Sequence, residues 1–131
     1  MAKQCPVVHF EMPYDDAKRM SAFYERAFGW KMRSFGADMG NYVVAETTAT
    51  SDGRPSTPGA INGGFFPKQP GGPTQPSVVV AVEDIKAAMK DVAAAGGKVL
   101  GEPMEIPGVG LYVSFNDPEG NRLSLLQPKG M

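Results

Sequence analysis

One cysteine, one histidine and one tryptophan in 131 residues exclude several kinds of chemistry at the outset. Cys5 has no partner for an internal disulfide, which fits a reducing, cytoplasmic setting. No Gly-x-Ser-x-Gly motif and no Cys–His arrangement for nucleophilic catalysis is present. Net charge is −1 and no basic run occurs, which argues against nucleic acid or an anionic membrane as partner. No apolar run approaches the roughly 18 residues of a membrane span. The opening Met1-Ala2-Lys3-Gln4-Cys5 lacks the apolar core of a secretory leader. Gly63-Gly64 and Gly71-Gly72 do not form the helix-opening glycine loops of nucleotide sites.

What the chain does have is a repeat. Val7-Val8-His9-Phe10-Glu11-Met12 is followed by a helical pattern, and so is Ser77-Val78-Val79-Val80-Ala81-Val82. Asp15 and Glu83, Asp16 and Asp84, Ala27 and Ala95, and Gly29 and Gly97 all stand 68 residues apart. Each copy is a β-branched run, an acidic helix start and a glycine stop. A repeat of this period means one supersecondary unit used twice. Hydrophobic content of 42% against 21% charged suits a compact domain with a real core.

In the first copy, Val7–Met12 is expected as a strand. Pro13 interrupts its ladder, having no N–H to donate. Asp15 or Asp16 caps the following helix. Ala17, Met20, Phe23, Tyr24, Ala27 and Phe28 recur at helical spacing and are expected in the core. Residues 30–35, 41–47 and 60–66 read as strands, and residues 48–59 as a polar loop. Prolines at 67, 70, 73 and 76 make 67–76 an extended, semi-rigid linker. The second copy gives strands near 77–82, 98–100, 110–115 and 122–127, with a helix at 84–95. Asn116-Asp117-Pro118-Glu119-Gly120-Asn121 is a turn. The expectation is an α+β fold of two βαβββ modules, residues 1–66 and 77–131, joined by linker 67–76 into one compact domain.

Phe23-Tyr24, Phe28-Gly29-Trp30, Pro107-Gly108-Val109-Gly110 and Asp117-Pro118-Glu119-Gly120-Asn121, in this order and with the repeat, resemble the vicinal oxygen chelate superfamily. That group includes glyoxalase I, bleomycin-resistance proteins and extradiol dioxygenases. The resemblance covers roughly Val7 to Pro128. It implies two βαβββ modules curled around a cleft. In metal-dependent members, four His, Glu or Gln ligands from the first and last strands of each module line that cleft.

Transferred residue by residue, the first ligand position falls on His9, and the 68-residue offset places Ser77 at its counterpart. In the last strand the glutamate position falls on Ser124. Setting Phe66-Pro67 against Gln127-Pro128 puts Gly63 at the matching place. Only His9 is a good divalent-cation ligand, although Glu11 shares its strand face. Glu46 is a distant contributor without an assigned place. No cofactor is therefore expected, with a divalent metal held by His9 and Glu11 as the alternative. Catalytic residues are left unassigned.

Strand parity expects His9, Glu11, Gly63, Phe65, Ser77, Val79, Arg122 and Ser124 to line the cleft. Apolar walls with a few placed polar groups suit a small organic ligand. Three readings follow: a metal-free binding protein for an apolar or aromatic molecule, a metal-dependent lyase, isomerase or dioxygenase, and a non-catalytic structural or interaction protein. The resemblance also implies a homodimer. Trp30, Phe66 and Tyr112 are open between core, interface and ligand stacking.

Overall fold

The protein is described from a computed structural model covering residues 3–129. The outer ends of the two expected modules, and Met131, lie outside the described residues. Two compact units emerge. One is His9–Pro76. The other is Ser77 onward together with the residues before His9, tied by the Ala81 N–H donating to the Pro6 carbonyl at 2.9 Å. Among the described residues no helix is long and apolar enough to cross a membrane.

The first unit contains β1 (Val7–Tyr14, whose first two residues group with the other unit), α1 (Ala17–Phe28), β2 (Lys31–Ser34), β3 (Val43–Glu46), a small hairpin of β4 (Thr50–Ser51) and β5 (Arg54–Pro55), and β6 (Asn62–Pro67). Its sheet order is β2-β3-β6-β1, with β6 parallel to β1. The second unit contains β7 (Ser77–Ala81), α2 (Ile85–Ala94), β8 (Lys98–Val99), β9 (Met104–Ile106), β10 (Gly110–Asn116) and β11 (Arg122–Pro128). Its order is β7-β11-β10-β8, with β9 also on β10. This is the expected α+β plan, β-α-β-β-β in each unit, with short added strands.

The repeat is visible at the helix starts. Asp16 accepts from the Arg19 N–H at 3.0 Å, and Asp84 accepts from the Ala87 N–H at 3.1 Å. Both sit in extended backbone, as an N-cap must. The ends differ. Gly29 takes the left-handed cap at φ 71°, whereas after the shorter α2 it is Gly96, not Gly97, that takes positive φ.

Each helix covers one face of its sheet. Val43, Ala45 and Phe65 form the buried centre of the first unit, with Phe10, Met12, Met20, Tyr24 and Trp30 packed around them. Val82, Ile85, Val113, Phe115 and Leu125 do so in the second. The expected aromatic core stripe of α1 is corrected here. Phe23 is 57% exposed and Phe28 63%. No residue of α1 is fully buried, and only Ala17, Met20 and Tyr24 of the expected stripe pack, half-buried, against that core. Phe23 lies about 100° around the helix from Tyr24, and Phe28 stands in the last turn, past the covered core. Tyr24 instead stacks on Trp30 at 4.7 Å and 8°, placing Trp30 with the core.

Two segments are more folded than expected. The polar loop 48–59 contains the β4–β5 hairpin, turned by Asp52 and Gly53 at φ 53° and 75°. Linker 67–76 is not extended throughout. Gly72 N–H donates to the Gln69 carbonyl at 2.9 Å across Pro70-Gly71, with Gly71 at φ 76°. Proline and a positive-φ glycine in those places make a type II turn.

Candidate functional site

In the first unit the sheet face away from α1 is fixed by register. His9 pairs with Asn62, Glu11 with Gly64, and Gly64 in turn with Val44. Paired residues share a face, so His9, Glu11, Asn62 and Gly64 lie together, with Tyr42, Val44 and Glu46 following by alternation. Asn62 anchors the edge of this face. Its Oδ1 accepts from the Thr47 N–H at 2.9 Å, and its Nδ2 donates to Thr50 Oγ1 at 2.9 Å.

The opposite parity carries Phe10, Met12, Gly63 and Phe65 into the core under α1. Gly63 and Phe65 are therefore removed from the expected cleft set. Phe65 is 1% exposed inside the core, and a Cβ at position 63 would overlap the Phe10 ring. The expected match of Pro67 with Pro128 slipped by one residue. Gly64 pairs with Glu11 just as Ser124 pairs with Val79, and Glu11 and Val79 are 68 residues apart. The position corresponding to Ser124 is Gly64.

Three side chains on this face form a chain of hydrogen bonds. His9 Nε2 lies 2.9 Å from the Tyr42 hydroxyl. The Tyr42 hydroxyl donates to Glu11 Oε2 at 3.2 Å. Burial of His9 lowers its pKa from 6.5 to about 4, so the imidazole is neutral near pH 7. Tyr42 reaches this place because Gly64 is bare. A Cβ on Gly64 would overlap the Tyr42 ring and hydroxyl. Sequence reasoning paired His9 with Glu11 and missed Tyr42 between them. The available signal was alternation, since Tyr42 lies four residues before Glu46 on the same strand line.

The second unit carries the remaining expected residues on the face away from α2. Val79 pairs with Ser124, and Ser77 and Arg122 lie two residues before each. Val79 and Ser124 are buried, Ser77 half-buried and Arg122 exposed. Ser124 Oγ donates to the Tyr112 hydroxyl at 2.7 Å and lies 3.1 Å from Ser114 Oγ. Ser114 and Tyr112 were not in the expected set. The Asp117–Gly120 turn holds the pairing that faces Ser114 with Ser124. Hydrogen bonds from the Asn121 side chain and backbone, and from the Glu119 N–H, hold the Asp117 carboxyl below its ordinary pKa.

The donor set fits a family-type divalent metal poorly. Ser77, Ser124 and Gly64 occupy three of the four corresponding positions. The fourth, His9, has Nε2 engaged by Tyr42. Among the described residues no three His, Cys, Asp or Glu side chains are gathered for a metal. A zinc-type site normally uses at least three strong protein ligands.

Comparison with known proteins identifies the family and the fold. The family model of the Glyoxalase/Bleomycin resistance protein/Dioxygenase superfamily matches residues 7–125. CFP32 of Mycobacterium tuberculosis, provisionally named a glyoxylase, is 35% identical over 108 residues, 82% of this chain and 38% of that protein. The anthracycline biosynthesis protein DnrV of Streptomyces peucetius is 32% identical over 120 residues, 85% of this chain and 42% of that one. The chain thus spans about two fifths of the length of these relatives. Among solved structures, a variant of Streptomyces coelicolor methylmalonyl-CoA epimerase bound to 2-nitronate-propionyl-CoA superposes with TM-score 0.70. It is 17% identical, with 96% of each chain covered, a likeness of fold.

Proposed function

The chain belongs to the glyoxalase/bleomycin resistance protein/dioxygenase superfamily, and from that premise we propose that it binds a small apolar or aromatic organic molecule without a metal. The ligand would contact the sheet face of His9, Tyr42 and Glu11. The observation that carries this reading is Tyr42. It stands over Gly64, where the family places a strong ligand, and occupies the Nε2 of His9. A phenol there turns a would-be metal position into part of an organic-ligand surface. The relative named for anthracycline biosynthesis supports an aromatic ligand, since anthracyclines are fused-ring aromatics. No step of catalysis is assigned.

The relative named a glyoxylase and the epimerase fold support the competing reading, a metal-dependent lyase, isomerase or dioxygenase using His9 and Glu11. One experiment separates the two. Untagged protein is assayed for metal, then titrated with Ni²⁺, Zn²⁺, Mn²⁺ and Fe²⁺ as wild type and as His9→Ala. No binding in either form, followed by thermal stabilisation with small aromatic compounds, is the expected result. Near-stoichiometric metal binding that His9→Ala abolishes overturns the metal-free reading. No metal and no stabilising compound leaves a structural or interaction role.

Two further properties belong to this proposal. The protein acts in the cytoplasm, a reading supported by an exposed Cys5 that is in no disulfide. It forms a homodimer, supported by Phe23 and Phe28, two exposed rings 6.3 Å apart on α1.

A further inference from the structure

The hydrogen-bond chain on β1 and its neighbours has a direction, and the direction follows from counting protons. A phenol owns one O–H. The Tyr42 hydroxyl spends it on Glu11 Oε2, because an ionised carboxylate can only accept. The contact between Tyr42 and His9 Nε2 at 2.9 Å must then use a proton on Nε2. Burial keeps His9 neutral near pH 7, and a neutral imidazole carries a single N–H. Nδ1 is left as a lone pair.

That lone pair has no hydrogen-bond partner among the described residues, where His9 bonds only through Nε2. It is also not sealed inside the protein. No buried side-chain nitrogen or oxygen among the described residues lacks a partner, so an unpartnered Nδ1 must keep access to the surface. The face therefore offers a neutral acceptor that is not sealed from the surface, held in orientation by Tyr42, which in turn donates to Glu11.

We propose that Tyr42 and Glu11 lock His9 in its Nε2–H tautomer so that its Nδ1 lone pair selects a neutral ligand bearing an O–H or N–H donor, such as a phenol. This rests on the organic-ligand reading above and specifies its chemistry. A carboxylate or other anion is disfavoured, because it brings no proton for Nδ1. Tyr42 is here a positioning residue, acting on the ligand through the ring of His9.

His9 is the only histidine in the chain, so untagged, ¹⁵N-labelled protein gives one pair of imidazole signals without assignment ambiguity. At pH 7 the expected spectrum shows a protonated Nε2 and an unprotonated Nδ1. Tyr42→Phe keeps the ring over Gly64 and removes the O–H, and should bring both nitrogens towards the averaged shifts of a tautomer mixture. Phenol, anisole and benzoate then serve as probes. Phenol should shift Nδ1 in wild type, with anisole and benzoate leaving it in place. A protonated Nδ1 in the free protein, or an unchanged spectrum in Tyr42→Phe, overturns the tautomer lock while the organic-ligand reading stands. Equal or stronger shifts with anisole or benzoate overturn the donor selectivity alone. Silence from all three probes, with no compound stabilising the protein, removes the organic-ligand reading and the selectivity with it.

Discussion

Neither Gly63 nor Gly64 adopts a positive φ, yet both positions need glycine because an aromatic ring occupies the space of each missing side chain. Phe10 lies over Gly63 on the helix-covered face, and Tyr42 over Gly64 on the other. Gly64→Ala should push Tyr42 off His9 and cost about 1–3 kcal/mol, as overpacking usually does. Urea unfolding measures the loss. Gly64→Ala in a Tyr42→Ala background should recover much of it, since the clash is gone. His9 makes a second prediction. Its folded pKa of about 4 lies below the unfolded 6.5, so between those values the unfolded chain binds a proton that the folded chain refuses. Stability is therefore complete above pH 6.5 and declines as pH falls towards 4, by at most about 3 kcal/mol. Denaturation midpoints measured from pH 7 to pH 4 should show that decline, and His9→Gln should flatten it. His9 and Glu11 were legible in the sequence as one face of a strand. Tyr42 was not, because its reach depends on the empty space at Gly64, which only the register reveals.

The elements with local signals were read well, and those placed by tertiary packing were not. Asp16 and Asp84 cap their helices as the acidic starts indicated. Asp16→Ala and Asp84→Ala should each cost about 1 kcal/mol in thermal or chemical unfolding. The start of α2 has a second acceptor from outside the helix, since Gln127 Oε1 takes the Ile85 N–H at 2.8 Å. Gln127→Ala should therefore weaken α2 by a similar amount, about 1 kcal/mol, although it lies on β11. The Asp52-Gly53 pair was a hairpin signal in plain view within a segment taken as loop. Strand β6 failed differently. Proline ends both β6 and β11, but proline marks where a ladder stops rather than which residues face each other. Ring spacing alone placed Phe23 and Phe28 in the core. How much of a helix its sheet covers is not written in the helix, and here the cover ends near Tyr24.

For the molecule as a whole, the 68-residue repeat carried most of the fold, because a unit used twice constrains its own interpretation. Function was less legible, because a family-wide scaffold carries many sites. The exposed α1 rings give a molecular-scale prediction. Phe23→Ser with Phe28→Ser should shift the mass measured by light scattering from dimer to monomer, with far-ultraviolet dichroism unchanged. A monomeric wild type would remove the dimer outright. The bare Gly64 also reaches beyond the present protein, into the order in which sequences of this kind can change. Converting residue 64 to glutamate would demand room that the Tyr42 phenol already fills, so the first step of that route is blocked while Tyr42 remains. Shrinking Tyr42 first would open the route, but it would release His9 before any carboxylate had arrived to engage it. Gly64 can thus take a side chain only after Tyr42 has shrunk, and shrinking Tyr42 gives up the hydrogen bond that holds His9.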